Sequence, residues 1–155
     1  MKLSGNKILI TGGATGIGSG LMQRFIQENN TVIICGRRES TLKEATQKFP
    51  TVITRACDLS IAGERENLFN WIAKEHNDLN VLVNNAGYGL WGRFDELSLK
   101  DQLDMLRINV ECPVKLSHLL LPLLKKQKQA YILNVASTTA YQAIPTLSVY
   151  AASKS

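Results

Sequence analysis

The chain has 155 residues, of which 45% are hydrophobic and 20% charged, with a net charge of +5. That is one domain's worth of chain, long enough to bury a core, with the apolar fraction of an ordinary globular protein. Its basic residues are scattered. The densest cluster, Lys125-Lys126-Gln127-Lys128, falls at a predicted helix end and no aromatics alternate with it, so nucleic acid is not an expected partner. Cys35, Cys57 and Cys112 stand far apart, and His76 and His118 add no ligand spacing, so neither a disulfide framework nor a metal site is expected. The N-terminus lacks the apolar core of a signal peptide, and the longest apolar run, Leu119 to Leu124, is interrupted by Pro122. A cytoplasmic protein with reduced thiols and no membrane partner is expected.

Short β-branched runs alternate with helical patterns, the signature of a parallel sheet wrapped by helices. The first strand is read over Lys7 to Thr11 and its helix over Gly16 to Glu28. Next come a strand at Thr31 to Cys35 and a helix from Ser40 to Lys48, closed by Pro50. A strand at Val52 to Ala56 precedes a helix from Ala62 to His76. The fourth and fifth strands are Val81 to Asn84 and Tyr131 to Val135. Between them Leu99, Leu103, Leu106, Val110 and Val114 mark a long helical pattern that runs to Lys126. The reading is an α/β doubly wound, Rossmann-like sheet of order 3-2-1-4-5 in a single domain over 1–155. Such a sheet usually has a sixth strand, absent here.

Between the first strand and its helix lies Thr11-Gly12-Gly13-Ala14-Thr15-Gly16-Ile17-Gly18. A glycine-rich turn between strand and helix lets backbone approach a ligand, and the helix N-terminus attracts its phosphates. In this sheet the ligand lies at the carboxyl ends of the strands. There the second strand is followed by Arg37 and Arg38, whose guanidinium forks suit a ribose 2′-phosphate; two solvated arginines are the alternative. Glu39 is the rival carboxylate for ribose hydroxyls, but it is read as the start of the next helix, where an acid suits the dipole. NADP(H) is therefore expected over NAD(H). After the third strand, Asp58 of Asp58-Leu59 either accepts from an adenine amino group or caps the next helix. After the fourth, Asn84-Asn85-Ala86-Gly87 presents small and amide side chains to the ligand, with Asn84 either structural or functional.

Tyr150-Ala151-Ala152-Ser153-Lys154 places a tyrosine and a lysine one helical turn apart. An ammonium at about 6 Å, at an effective dielectric of about 20, stabilises a phenolate by roughly 3 kcal/mol, which suits the tyrosine to acid–base work. Ser137, after the fifth strand, either meets a substrate there or caps a turn. Pro113 lacks an N–H and crowds the carbonyl four residues back, that of Asn109, which is expected to be free to hold a water at a kink.

With these residues assembled the chain resembles the short-chain dehydrogenase/reductase family. The resemblance spans essentially the whole chain and is carried jointly by Thr11, Gly12, Gly16 and Gly18, by Asn84 to Gly87, and by Asn109, Ser137, Tyr150 and Lys154. It implies an NADP-dependent oxidoreductase interconverting a secondary alcohol and a carbonyl. Tyr150 would move the proton and Ser137 would polarise the carbonyl. Lys154 would favour the phenolate and hold the nicotinamide ribose, and Asn109 would keep a relay water. Cofactor contacts are expected from Gly12, Thr15, Gly16, Ile17, Gly18, Arg37, Arg38, Asp58, Leu59, Asn85, Ala86, Gly87, Tyr150 and Lys154. A homo-dimer or homo-tetramer using the long helix with Pro113 and the Tyr150 helix is also implied.

Trp91, Tyr141 and Ile144, in Tyr88 to Gly92 and Thr138 to Leu147, suggest a pocket for an apolar small molecule; each alternatively packs the domain. No phosphate-loop NTPase motif and no nucleophile elbow occur. Family members continue beyond the lysine with further strands and a closing loop, so the expectation is a piece of a longer gene product, or a chain whose remainder is out of view. The competing reading of the function is a nucleotide-binding module of the same fold without catalysis.

Overall fold

The computed structural model describes residues 2–142 and 144–155. Five parallel strands form one sheet: β1 (Lys7–Thr11), β2 (Thr31–Gly36), β3 (Ile53–Ala56), β4 (Val81–Asn84) and β5 (Tyr131–Asn134). Their spatial order is β3-β2-β1-β4-β5, the order read from the sequence. The helices are α1 (Gly16–Gln27), α2 (Glu39–Lys48), α3 (Ala62–Glu75), α4 (Leu99–Leu106), α5 (Cys112–Leu124) and α6 (Ser148–Lys154).

Register explains why the central strands are apolar along their whole length. Ile8 lies beside Val32 and Val81, whereas the next row is Leu9 beside Ile33 and Leu82. Side chains alternate faces along a strand, so these rows point to opposite sides of the sheet and both sides must be covered. Ile8, Val32 and Val81 pack with Met22 and Leu42 from α1 and α2. Leu9, Ile33 and Leu82 pack with Leu68, Ile72, Leu116 and Leu120 from α3 and α5. All but Leu42 are at most 1% exposed, and each such side chain contributes about 1.5–3 kcal/mol by burial. At the sheet's outer side β5 is less covered, with Ile132 and Leu133 exposed.

The long pattern between β4 and β5 is one rod with a defect. Arg107–Glu111 is a π-helical turn between α4 and α5, closed by Cys112 N–H donating to the Arg107 carbonyl. Pro113 follows at the start of α5, where its missing N–H removes the ordinary helical partner of the Asn109 carbonyl. The irregularity expected at Asn109 is present as this π-helical turn. Within it the one buried residue is Asn109.

Candidate active site

The glycine turn folds as a backbone cradle. Gly16 has φ 54°, a left-handed conformation, and a side chain there would meet no atom within 4 Å. Gly18 is constrained by space: a Cβ would stand 2.3 Å from the Gly12 carbonyl oxygen. The cradle is tied to the strand ends. Thr11 Oγ1 accepts from Asn85 N at 3.0 Å and Ala86 N at 3.0 Å. The Asn85 amide donates to the carbonyls of Thr11 at 2.9 Å and Gly12 at 3.2 Å. At the N-cap of α1, Thr15 makes no side-chain capping bond, so the helix's first N–H groups and its dipole are left to an anion.

From this cradle a cleft of about 540 Å³ runs across the carboxyl ends of the strands. Gly12, Thr15, Gly16 and Ile17 line one end, and Arg37, Arg38, Asp58 and Leu59 one flank. Asn85, Ala86 and Gly87 form the middle, with Tyr150 and Lys154 at the far end. Of the residues expected to contact a cofactor only Gly18 lies outside the lining; it is buried beneath the cradle. An elongated cleft with backbone donors at one end and cations on its flank fits a dinucleotide.

Asp58 lines the cleft but does not cap the next helix. Its Oδ1 accepts from Ser60 N at 2.9 Å and Ser60 Oγ at 2.7 Å, shaping the turn itself. The N-cap of α3 is Ile61, with no side-chain bond. Asn84 is structural, because its amide bridges to Asn134 Oδ1 at 2.8 Å and Ser117 Oγ at 3.1 Å and so joins β4, β5 and α5. Glu39 is the first residue of α2, as read.

At the far end Lys154 Nζ donates to the Val135 carbonyl at 3.1 Å. The Tyr150 hydroxyl makes no hydrogen bond with a described residue. Asn109 and Ser137 do not line the cleft. Ser137 caps the 3-10 turn Thr138–Ala140, accepting from Thr139 N at 3.3 Å and Thr139 Oγ1 at 2.9 Å. Buried Asn109 uses its whole amide: Oδ1 accepts from Tyr88 N at 3.1 Å, and Nδ2 donates to Tyr88 O and Ser153 Oγ, both at 2.9 Å. Ser153 Oγ in turn donates to the Tyr150 carbonyl at 2.7 Å. Sequence reasoning missed Tyr88, Ser153 and Thr139 as supports. Ser153 had a local signal, a serine three residues past Tyr150 able to bond back along its helix; the Tyr88 clamp, 21 residues from Asn109, had none.

Trp91 and Tyr141 do not line the cleft. They stand 71% and 94% exposed on the loops beyond β4 and β5; Ile144 also lies outside the lining. Cys57 does line it, but burial, helped by the Glu64 and Asp58 charges, pushes its thiol up to about 12. Burial likewise raises Cys35 and Cys112, so none of the three is a thiolate nucleophile near neutral pH. Burial, with Asp104 and Asp101 nearby, also raises the Tyr88 phenol.

A parallel sheet of order β3-β2-β1-β4-β5 with a cleft at the carboxyl ends of its strands is the architecture of a nucleotide-binding α/β domain. Within that class, the chain belongs to the short chain dehydrogenase family, whose family model matches residues 6–155. It is 42% identical over 158 residues to the uncharacterized oxidoreductase DltE of Bacillus subtilis, covering 99% of this chain and 62% of that protein. A tropinone reductase homolog of Arabidopsis thaliana is 32% identical over 157 residues, with 98% of this chain and 59% of that protein covered. The chain thus spans about three-fifths of these curated relatives. Among solved structures, a metagenomic short-chain oxidoreductase in complex with NADP superposes with a TM-score of 0.91 at 24% identity, covering 99% of this chain and 72% of that one. A Burkholderia phymatum short chain dehydrogenase/reductase in complex with NAD gives 0.92 at 23%, covering 99% and 57%. These two establish the fold. The family is one of NAD(P)-binding oxidoreductases acting on small molecules, and among the described residues no helix is long and apolar enough to cross a membrane.

Proposed function

We propose that the protein, as part of its whole polypeptide, interconverts a secondary alcohol and a carbonyl with NADP(H) preferred over NAD(H). The observation that carries the reading is the single cleft joining the glycine cradle to Tyr150 and Lys154. Bound there, the dinucleotide supplies or takes up the hydride. Gly12, Thr15, Gly16 and Ile17 hold its phosphates with backbone N–H groups and the α1 dipole. Arg37 and Arg38, exposed on the cleft's flank and without an acidic partner among the described residues, receive the ribose 2′-phosphate. Asp58 and Leu59 flank the adenine; Asn85, Ala86 and Gly87 let the ligand pass close to backbone.

Tyr150 passes a proton to or from the substrate oxygen, and its free hydroxyl at the cleft suits that role. Lys154, whose Nζ is held by the Val135 carbonyl at 3.1 Å, binds the nicotinamide ribose. Ser137 holds the carbonyl by donating its hydroxyl proton, which the bonds accepted from Thr139 N and Thr139 Oγ1 leave available. Asn109 provides a carbonyl for a relay water at the π-helical turn. An exposed apolar stripe, Leu99, Leu103, Val110 and Val114, supports association with a second copy.

The test is NADPH turnover across a panel of ketones by the full-length protein and by Tyr150→Phe. A loss of about 10²–10⁴-fold is expected, the usual worth of a positioned acid–base group. Equal rates would reject the assignment. NADPH binding without turnover by either would favour the second reading, a nucleotide-binding module in which Ser137 only caps its turn.

A further inference from the structure

The segment following β4 passes beside Tyr150, and one of its residues lacks a side chain where even a methyl would be felt. A Cβ at Gly89 would stand 3.2 Å from Tyr150 Cδ2, 3.3 Å from Cγ and 3.4 Å from Cε2. Carbon atoms rest at about 3.5–4.0 Å, so the first two contacts are short by a few tenths of an ångström, the third borders on ordinary contact, and all lie along the ring. Gly89 does not occupy the left-handed region. The constraint at Gly89 is therefore its approach to the ring.

The placement of Gly89 is set one residue earlier. Asn109 Oδ1 and Nδ2 grip the N–H and carbonyl of Tyr88 at 3.1 and 2.9 Å. The second hydrogen of the same amide goes to Ser153 Oγ at 2.9 Å, and Ser153 donates to the Tyr150 carbonyl at 2.7 Å. One buried amide, with every donor used, thus registers both the loop that faces the ring and the helix that carries it. Further along, Gly92 N–H donates to the Thr146 carbonyl at 3.0 Å, pinning the loop again. The loop cannot retreat without breaking these bonds, so added bulk at 89 must displace the ring.

We infer that Gly89 is a positioning residue: a bare stretch of backbone against which the Tyr150 ring is seated, with the Asn109 amide as common anchor for both. The inference rests on the acid–base reading of Tyr150, and two measurements separate them.

The first needs no substrate. In ¹H–¹³C spectra of protein carrying ring-labelled tyrosine, four tyrosines report, and Tyr150→Phe identifies the Tyr150 signals. Gly89→Ala is expected to move those signals. Gly63→Ala, on exposed α3 with nothing within 4 Å of its Cβ, is expected to leave them in place. Asn109→Asp, which removes both amide donors, gives a second route to the same shift. Tyr150 signals unmoved by both Gly89→Ala and Asn109→Asp overturn the inference.

The second measurement is NADPH oxidation with acetophenone, with NADPH Kd determined by fluorescence titration. Gly89→Ala should lower kcat about tenfold, as expected for a small misplacement of a reacting group, with Kd within twofold of the parent. A parent-like kcat overturns the positioning role. If instead Tyr150→Phe matches the parent, the acid–base reading fails while the spectra still decide the packing. Where the parent does not turn acetophenone over, the spectra alone decide.

Discussion

The two ends of the cleft are made of different materials. At the β1 end the ligand-facing surface is backbone, and its requirements are local: a left-handed residue at Gly16, no side chain at Gly18, and free N–H groups at a helix start. At the α6 end the lining includes the side chains of Tyr150 and Lys154. The Asn109 amide ties the helix that carries them to the segment after β4, reaching 21 residues back to Tyr88 and 44 residues forward to Ser153. The first end is limited by conformation at Gly16 and by space at Gly18; the second depends on the hydrogen bonds of the Asn109 amide. Asn109→Ala tests whether the two are separable. The turnover proposed for Tyr150 should fall about 100-fold, since misplacement by about 1 Å costs that much, while dinucleotide Kd stays near the parent value. A Kd that moves as far as kcat would show the ends to be one unit.

The cradle can be broken in two ways, and their costs should differ. Gly18→Ala puts a methyl 2.3 Å from the Gly12 carbonyl oxygen and 2.5 Å from Asn85 Nδ2. Overpacking of this kind costs about 1–3 kcal/mol, equivalent to roughly 2–4 °C in melting temperature per kcal/mol for a chain this long. Gly16→Ala meets nothing within 4 Å and is charged only for its φ of 54°, about 1–2 kcal/mol. Thermal melts of the two variants decide the order. A larger loss at Gly16 would mean that conformation, not space, limits the turn.

The same contrast explains what was legible beforehand. Strand order and the cradle follow from neighbours in sequence: apolar runs bounded by turns, glycines between strand and helix, arginines after β2. The position of the irregularity at Asn109 was also readable, because Pro113 removes a donor four residues on, but its form as a π-helical turn depends on how α4 and α5 pack. Ser137 was legible as a strand-end hydroxyl and as a cap, and the geometry exercises the second option. The support of Tyr150 by Tyr88, Gly89 and Ser153 was not legible, since long-range hydrogen bonds and a missing Cβ leave no periodic trace. Trp91 and Tyr141 read as pocket residues because aromatics usually seek cover; here the loops hold them outward.

Cofactor choice is a smaller effect, resting on exposed groups. Arg37→Asp is expected to shift the NADPH-to-NADH affinity ratio toward NADH by about tenfold, the worth of one charge-assisted contact to phosphate. An unchanged ratio removes Arg37 from the 2′-phosphate assignment. The glycine end would then bind both dinucleotides through features they share.

The smallest effect lies at the opposite edge of the sheet, far from the cleft. Nε2 of His76 is buried without a hydrogen-bond partner among the described residues, and its ring stands edge-on to Trp71 at 4.6 Å, whose face carries the Arg55 guanidinium at 5.2 Å. Desolvation first, and then the Lys7 charge, hold the imidazole below its ordinary value of 6.5, with Glu75 and Asp78 opposing. As pH falls through 6.5 the unfolded chain takes up this proton before the folded one does. Stability is therefore full above that pH and declines below it, until the folded imidazole also protonates. Asp78, lowered chiefly by its hydrogen bond from Lys7, loses its contribution in a separate window beneath the ordinary carboxylate value of 3.8. Urea melts from pH 7.5 to 5 should show the decline in the parent and a flatter profile in His76→Phe, which keeps the Trp71 contact without the proton. Parallel profiles would place the acid sensitivity of that edge elsewhere.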